Sequence, residues 1–332
     1  MRGIDVTICC VTFNHAKYVR KCLNSLVCQK TDFMYEILIH DDLSQDGTIE
    51  IIKEYAEKYP DIIVPYIEKE NQYSKGNRAI IINLMIGLAR GKYIAICEGD
   101  DFWNDEYKLQ KQFDLLEQNL DCVMSTHKVR TVDETGKQII GYIPRDYSEK
   151  KVINGNWYVK HILENDRHLF HTSSMFFRKS AMEKDLENIP SFMTVAATED
   201  RVLFLYYGSK GNIFYLPDEM SSYRSMSEGS WSSEMVKYKD KSYANDQDIL
   251  NMVQGFNKYT KYKYKDSVYK YETTLQFRTL QYELNCKELC SERYEELFQT
   301  LSKKEQIYFR ICSKVPFLGK IYRKLKKLVK RQ

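Results

Sequence analysis

Long apolar runs are missing from this sequence. No stretch of its 332 residues approaches the roughly 18 consecutive apolar residues that a membrane-spanning helix requires. Residues 1–5 lead directly into a strand-like run, without the apolar core of a signal peptide. We therefore expect a cytoplasmic protein that does not span the membrane.

Glycine-rich phosphate-binding loops are missing too. The chain contains neither the Gly-x-Gly-x-x-Gly pattern nor the Gly-x-x-x-x-Gly-Lys-Ser/Thr pattern. In the corresponding enzymes, the backbone N–H groups of these loops hold the phosphates of a bound nucleotide. Dinucleotide-dependent dehydrogenases and P-loop enzymes are therefore disfavoured.

The cysteines show no disulfide or zinc pattern. They number nine, an odd count, and many lie inside apolar runs. This usage is typical of reduced thiols that act as small hydrophobic residues in the cytosol. Cys286 and Cys290 are spaced for one helix face, but no second pair of ligands follows. A structural zinc site is therefore not expected.

Positive charge is concentrated in the C-terminal tail. The formal net charge is +4, yet residues 314–332 contain eight basic residues and no acidic one, so the body is mildly acidic. An acidic body argues against a general nucleic-acid-binding surface. Apolar residues recur at helical spacing in the tail: Leu318, Ile321, Tyr322, Leu325, Leu328 and Val329. They predict an amphipathic helix on an anionic membrane surface; a solvated or body-packed segment is the alternative.

Apolar periodicity predicts an α/β protein. Predicted strands cover residues 6–11, 36–40, 62–67 and 93–97, and predicted helices cover 19–27, 51–59, 77–90 and 107–118. The alternation predicts a mostly parallel sheet with helices on both faces. Beyond residue 121 the pattern predicts strands at 122–132 and 139–143, helices at 155–165 and 199–208, an extended segment at 173–178, and several helices within 240–312.

Two adjacent carboxylates follow the fourth predicted strand. Residues 97–103 read Cys-Glu-Gly-Asp-Asp-Phe-Trp, which places Asp100 and Asp101 at the strand end. Their repulsion is costly unless a cation neutralises it, and Mg²⁺ or Mn²⁺ commonly bridges carboxylates to a substrate's phosphates. Gly-Asp-Asp also suits a surface turn, so the segment alone leaves both interpretations open.

Polar residues follow two other predicted strands. Residues 12–14 (Thr-Phe-Asn) end the first, and Asp41-Asp42 ends the second. In an open parallel sheet, ligands bind beyond the carboxyl ends of the strands. We therefore expect these groups and Asp100-Asp101 to share one rim.

Taken together, these segments resemble glycosyltransferase family 2, whose members have the GT-A fold. The matching stretches are VTICCVTFNHAKYVRKCLNSLVCQ, YEILIHDDLSQDGT, NLMIGLARGKYIAICEGDDFW and ATED, in the family's order over roughly residues 4–230. EGDDFW and KLQKQFDLLEQN resemble bacterial enzymes that build capsular, lipopolysaccharide or exopolysaccharide glycans. The resemblance implies a GT-A domain at 1–235, a helical extension at 236–312 and the basic amphipathic tail at 313–332.

The resemblance also implies roles on the donor side. Thr12, Phe13 and Asn14 would line the pocket for the nucleotide base, and Asp42 would hydrogen-bond that base, typically uracil. Asp100 would lie near the ribose and diphosphate. Asp101 would bind a divalent cation, Mg²⁺ or Mn²⁺, that holds the diphosphate.

One donor-side motif departs from the family pattern. Asn83 matches the Asn of the family's Ala-Arg-Asn-x-Gly segment, but Ile81 and Ile82 replace its Ala-Arg. The arginine contact is therefore absent from that position. Lys75 or Arg78 is a candidate for a substitute charge.

Asp200 matches the catalytic base of the family. A single base without a protein nucleophile implies one displacement at the anomeric carbon, and hence inversion. Asp200 also begins an apolar helix, where an acidic residue is favourable with the helix dipole alone. The upstream motifs favour the base.

Further candidates lie near the expected acceptor side. His168 and His171 are each candidates to complete the metal site or touch the acceptor, or else are hydrogen-bonded near a core. Glu199 is a candidate to contact the acceptor or orient a neighbour. Trp231 would stack on a sugar ring or anchor a loop, whereas Trp103 is interpreted as a structural plug behind the acidic pair.

The predicted function is inverting, metal-dependent transfer of a sugar from a nucleoside diphosphate sugar, expected to be UDP-linked, to a glycan or lipid-linked acceptor during synthesis of bacterial surface polysaccharide. The expected partners are this donor, this acceptor and an anionic membrane at its inner face, with no nucleic acid. A nucleotidyltransferase is one alternative, but residues 12–15 (Thr-Phe-Asn-His) stand where such enzymes have a basic, glycine-rich loop. A non-catalytic, membrane-tethered glycan- or nucleotide-binding module is the other.

The tail hypothesis is testable with lipid vesicles. Deleting residues 314–332 should reduce co-sedimentation with anionic vesicles, because each basic residue near such a surface contributes about 1 kcal/mol. Neutral vesicles and a full-length variant with the eight basic residues changed to glutamine are the controls. Unchanged sedimentation of the truncated protein would remove the membrane role from the tail.

Overall fold

The computed structural model describes residues 3–194, 198–225 and 237–315. Up to residue 118 the elements are β1 (Val6–Thr12), α1 (Val19–Val27), β2 (Tyr35–Asp41), α2 (Thr48–Lys58), β3 (Ile63–Ile67), a π-helical turn (Ile81–Met85) continuing into α3 (Ile86–Leu88), β4 (Tyr93–Glu98), β5 (Phe102–Trp103) and α4 (Lys108–Gln118). This order confirms the predicted alternation of strands and helices.

The second part of the chain adds strands first and helices afterwards. The elements are β6 (Cys122–Val132), β7 (Ile139–Ile143), β8 (Lys151–Ile153), α5 (Gly155–Asn165), β9 (Phe176–Arg178), α6 (Glu183–Leu186), α7 (Ser191–Thr194), α8 (Glu199–Lys210), β10 (Asn212–Arg224), α9 (Lys239–Tyr259), α10 (Lys265–Glu283), α11 (Cys286–Leu289), α12 (Glu295–Gln299) and α13 (Lys303–Lys314). The region after residue 237 is therefore helical, as predicted.

The strands form one sheet in the order β3-β2-β1-β4-β9-β6-β10-β5, with β7 added to β6 and β8 added to β10. The longest pairings are parallel: β3, β2, β1 and β4 form one parallel block, and β6 pairs with β10. Between them, β9 runs antiparallel to both β4 and β6. The α/β class with a mostly parallel sheet flanked by helices is confirmed.

Alternate residues of the central strands feed two apolar cores. On β4, Ile94 and Ile96 belong to one cluster, while Ala95 and Cys97 belong to the other. Successive strand side chains point to opposite faces, and parallel strands are covered on both faces. This explains why β1, β2 and β4 read as continuous apolar runs in the sequence.

β10 spans 13 residues and was not predicted. Its buried Ser221 and Ser222 interrupt the apolar pattern that identifies a strand. Both hydroxyls are satisfied, because Ser221 Oγ lies 2.9 Å from Ser173 Oγ and Ser222 Oγ donates to Asn104 Oδ1 at 2.9 Å. Polar residues are therefore tolerated in this buried strand.

The predicted helix at 77–90 is wrong in extent. Only Ile81–Leu88 is helical, and its first turn is π-helical. The backbone N–H of Ile82 donates to Glu199 Oε1 at 3.0 Å, so a carboxylate from α8 satisfies a group at the helix start. The extended segment predicted at 173–178 is likewise shorter, since strand β9 covers Phe176–Arg178.

A partly buried ion network joins the C-terminal helices to α8. Asp166 accepts a hydrogen bond from Arg201 Nη1 at 2.6 Å and lies 2.8 Å from Arg278 Nη2. Burial acts to raise the pKa of Asp166, but the two guanidinium groups outweigh it and hold this pKa below its usual value. The network therefore couples α10 to the helix that begins at Glu199.

Within the ranges that the structure covers, no helix combines the length and apolarity needed to cross a membrane. The nine cysteines are free thiols, and most are buried. The predicted amphipathic tail lies almost wholly outside the described residues.

A stability prediction follows from the contact of α5 with the end of α8. A Cβ atom at Gly155 would lie 2.0 Å from the carbonyl oxygen of Gly211 and 2.2 Å from that of Gly208. Gly155→Ala should therefore lower the free energy of unfolding by about 1–3 kcal/mol in urea denaturation. Gly87→Ala in α3 is the matched control, because a Cβ there meets nothing within 4 Å. Equal stability of the two variants would contradict this packing.

Candidate active site

The C-terminal ends of β1, β2 and β4 lie side by side. In the parallel register Thr12 pairs with Asp41, and Val11 pairs with Glu98. The acidic residues that end β2 and β4 therefore flank the end of β1, as the sequence predicted for one rim of the sheet.

Gly99 and Arg224 position the acidic pair. A Cβ atom at Gly99 would lie 2.5 Å from the Thr12 methyl group, so only glycine fits here without a shift. Arg224, at the end of β10, donates its backbone N–H to Asp101 Oδ1 at 3.0 Å and its Nε to the Asp100 carbonyl at 2.7 Å. This buried arginine compensates part of the local negative charge.

Asp101, Glu98 and His171 form a candidate metal centre. One ligand atom from each lies within 4.8 Å of the other two, and no further His/Cys/Asp/Glu group of this kind occurs in the part of the chain that the structure describes. Asp101 is 1% exposed, and its Oδ2 atom is buried without a hydrogen-bond partner among these residues. An orphaned buried carboxylate oxygen is costly, and a divalent cation would satisfy it.

The electrostatics of this centre suit a cation. Burial, followed by the charges of Asp100 and Asp200, raises the pKa of Glu98 to about 8. Burial also raises the pKa of Asp101, with Asp100 and Glu98 adding to the effect. Burial lowers the pKa of His171 to about 4, so its imidazole is neutral near pH 7 and offers a lone pair to a metal.

Asp200 lies on the same rim, in the first turn of α8. Its side chain is 30% exposed, and its Oδ2 lies 3.4 Å from His168 Nε2. Burial is the main influence on His168 and lowers its pKa, against the opposing effect of the Asp200 charge. The Asp200 carboxylate is therefore in contact with solvent. Its neighbour, the His168 imidazole, is partly buried and neutral near pH 7.

The carboxylate of Glu199 contacts another helical segment. This contact differs from the contact with the acceptor that the sequence left open. The carboxylate accepts the Ile82 N–H, which ties α8 to the helical turn at 81–85. Burial raises the pKa of Glu199 to about 8, although backbone N–H donors act to lower it. The geometry supports a positioning role beside Asp200.

The residues after β1 are held by the loop after β2. The Thr12 hydroxyl donates to Asp41 Oδ2 at 2.7 Å. Asn14 adopts a left-handed φ of 55°, receives the Gln45 N–H on its Oδ1 at 2.8 Å and donates its own N–H to Ser44 Oγ at 2.8 Å. Phe13 stays 46% exposed between them.

Asp42 is buried and shapes the loop after β3. Its Oδ1 accepts the N–H of Gln72 at 2.6 Å, and its Oδ2 accepts the N–H of Tyr73 at 3.0 Å. Each oxygen keeps a second lone pair, so the predicted contact with a base stays a prediction.

Asn83 and the candidate substitute cations are engaged elsewhere. Asn83 is exposed and donates to Asn77 Oδ1 at 2.8 Å. Lys75 pairs with Glu70, and Arg78 pairs with Asp248 of α9 at 3.1 Å. These side chains do not contact the acidic rim.

Trp103 packs behind the acidic loop, as the sequence suggested. It is 4% exposed, its backbone N–H donates to Ser25 Oγ at 3.0 Å, and Lys108 Nζ lies 3.9 Å from its ring centroid. Trp231 lies outside the described residues.

Two site residues were not recognised from the sequence. Glu98 stands two positions before Asp100, so the segment Glu-Gly-Asp-Asp already contained a third acidic residue that could have been recognised. Arg224 offered no such signal, because the strand that delivers it was not predicted. The contacts of Arg224 show that the acidic loop, which follows β4, is also held by β10.

The fold and the acidic rim define a GT-A-type transferase domain. Consistent with this, residues 7–186 match the family model described as Glycosyl transferase family 2. The matched segment covers more than half of the chain, so this protein belongs to glycosyltransferase family 2.

Three similar proteins illustrate the relationship. Uncharacterized protein Rv1520 of Mycobacterium tuberculosis is 30% identical over 232 residues, covering 69% of this chain and 61% of that protein. The chain thus spans about three-fifths of the length of these curated relatives. TarS (residues 1–349) of S. aureus in complex with UDP has a TM-score of 0.56 at 15% identity, covering 91% of this chain and 77% of that 1–349 chain. PcManGT of Pyrobaculum calidifontis, a mannosyltransferase in complex with GDP-Man and Mn²⁺, has a TM-score of 0.50 at 16% identity, covering 95% of this chain and 84% of PcManGT. At these identities the two structures support the fold.

The raised carboxyl pKa values predict how metal binding depends on pH. The ordinary value for Glu98 is 4.5 and its folded value is about 8, so the metal-free protein binds the proton more tightly than the unfolded chain does. The contribution of Glu98 to the stability of the metal-free protein is therefore greatest below about pH 4.5 and falls as the pH rises towards about 8. Stabilisation by Mn²⁺, measured as a thermal shift against a chelator control, should therefore grow between about pH 5 and about pH 8.

The same titration should change when Glu98 loses its charge. Glu98→Gln should flatten the rise of the Mn²⁺ shift with pH, whereas Glu106→Gln should not, because Glu106 is exposed and pairs with Lys30. A shift in the wild type that is constant with pH would contradict the assignment of this centre.

Proposed function

We propose that this protein transfers a sugar from a nucleoside diphosphate sugar, most simply a UDP-sugar, to a hydroxyl group of a glycan or lipid-linked acceptor, with inversion at the anomeric carbon. The observation that carries the proposal is the arrangement of Asp200 and the Glu98–Asp101–His171 centre on one rim. Membership of family 2 and the nucleotide complexes of TarS and PcManGT support the donor class.

The donor's diphosphate belongs beside Asp101. Asp101 Oδ2, Glu98 and the neutral His171 are the groups that would hold Mg²⁺ or Mn²⁺, which would stabilise the charge that grows on the leaving diphosphate. Residues 12–14, Asp42 and Asp100 surround the same strand ends and would contact the nucleotide. Arg224 keeps the acidic loop in place during this step.

Asp200 supplies the proton acceptor. An acceptor hydroxyl forms the new bond to the anomeric carbon as the bond to the diphosphate breaks, and its proton passes to an Asp200 carboxylate oxygen. His168 at 3.4 Å orients that carboxylate, and Glu199 fixes the start of α8 beneath it. A single displacement of this kind inverts the anomeric configuration.

The place of the reaction is part of the proposal. The basic tail would hold the enzyme at the inner face of the membrane, where lipid-linked acceptors for surface polysaccharides are assembled. The resemblance of the EGDDFW segment to bacterial enzymes that build surface glycans supports this setting.

Asp200→Asn tests the base directly. Transfer should fall by at least about a hundredfold, because a positioned base contributes about 10²–10⁴ to the rate, while nucleotide binding persists. Asp266→Asn is the matched control, since Asp266 is also an acidic residue in the first turn of a helix. Substantial turnover of Asp200→Asn would reject the assignment.

A hydrolysis screen over sugar nucleotides identifies the donor for that assay. Wild type and Asp101→Ala are compared, and the alanine variant should lose both hydrolysis and the Mn²⁺-dependent thermal shift with the cognate nucleotide. Stabilisation by nucleoside triphosphates alone would contradict sugar transfer.

A further inference from the structure

A cavity of about 740 Å³ opens beside the proposed base. Its walls come from β7, from the segment that follows it, from the end of α5 and from the end of β10. His168, which is paired with Asp200, lines the cavity. Tyr223 also lines it, and the Tyr223 ring lies 4.2 Å from the ring of His171. The cavity therefore leads to both the base and the metal centre.

Two arginines on its walls have no partner. Arg145 and Arg167 are exposed, and within residues 3–194, 198–225 and 237–315 neither guanidinium makes a hydrogen bond or ion pair. Among the lining residues that the structure describes, Asp146 is the one carboxylate. Most other arginines at this side of the molecule are engaged, for example Arg201 with Asp166 and Arg130 with Glu219. Positive charge is thus left available in this cavity.

Aromatic rings complete the lining. Tyr142 and Tyr147 lie on the wall that carries Arg145, and Tyr223 lies beside His171. Lys128 Nζ is 4.8 Å from the Tyr142 ring centroid, which adds a further positive charge behind that wall. Ring faces suit the apolar faces of sugars, and guanidinium groups bind phosphate oxygens in a bidentate manner.

We propose that this cavity binds an acceptor glycan or polyol chain that carries a phosphoester close to the accepting hydroxyl. Arg145 and Arg167 contact the phosphoester, and the tyrosines contact the neighbouring sugar or polyol unit. The proposal rests on the proposed function, because it uses the nearness of the cavity to Asp200. It restricts the acceptor to a phosphate-bearing class.

The charge arrangement favours a phosphoester over a neutral glycan. A neutral acceptor would leave both guanidinium groups facing solvent without a ligand, whereas a phosphoester offers oxygens that accept from both. The exposed position of the two arginines also keeps the cavity open to a chain longer than one unit. His168 and Tyr223 then bring the adjoining hydroxyl to the base.

Calorimetric binding of two matched probes tests the proposal. The probes are a short poly(glycerol phosphate) oligomer and an uncharged maltooligosaccharide of similar length. The phosphate oligomer should bind the full-length protein, and the Arg145→Gln/Arg167→Gln variant should bind it at least about tenfold more weakly, as expected on losing charge-assisted hydrogen bonds. Arg310→Gln on α13 is the matched control and should bind like the wild type.

Further experiments distinguish a glycan phosphoester from a lipid headgroup. They also separate the binding role of the cavity from the proposed sugar transfer. Phosphatidylglycerol vesicles replace the oligomer in a parallel titration; dependence on the two arginines with vesicles alone would overturn the proposal in favour of a lipid headgroup. Equal binding of the neutral oligosaccharide, or unchanged binding by the double variant, would also overturn it. UDP and GDP binding is measured on the same samples: a failure there, with phosphate binding intact, would count against sugar transfer and not against the cavity.

Discussion

Crowding of carboxyl groups at the end of a parallel sheet is the constraint around which the rest of the molecule is organised. Burial raises the pKa values of Glu98 and Asp101, and neighbouring charges add to it: those of Asp100 and Asp200 at Glu98, and those of Asp100 and Glu98 at Asp101. Folding alone gains nothing from this arrangement. It is tolerated because Arg224 offsets part of the charge and because a divalent cation would offset more.

The surrounding elements serve to hold those carboxylates. Gly99 lets the acidic loop cross the end of β1, and Arg224 ties the loop to β10, which lies on the far side of β9 and β6. Glu199 links α8 to the helical turn at 81–85, and Asp166 links α8 to the C-terminal helices. The helical turn at 81–85, Asp200 and the C-terminal helical region are thus connected through α8.

The sequence predicted the first half of the fold well because β1, β2 and β4 are buried on both faces and read as plain apolar runs. It failed where buried polar residues are satisfied by partners distant in the chain, as with Ser221 of β10, whose hydroxyl contacts that of Ser173. The acidic pair and Asp200 were predicted as site residues from their position and order and from the resemblance to the family. Arg224 was not, since its role depends on a strand pairing that local patterns do not encode, and the extent of the helix near residue 82 depends on Glu199, which lies 117 positions away.

Part of the cavity wall comes from the segment of the chain between β6 and β8. Residues 133–153 leave the sheet at the end of β6, contribute β7 along β6 and return as β8 along β10, so the long β6–β10 pairing does not pass through them. The carbonyl of Glu134 in this excursion accepts from Arg224 Nη1 at 2.8 Å, so the wall of the cavity and the support of the acidic loop share one contact. On the proposed function, the segment that would contact the acceptor is therefore separate from the strand ends that would contact the donor, yet it is anchored to them through Arg224.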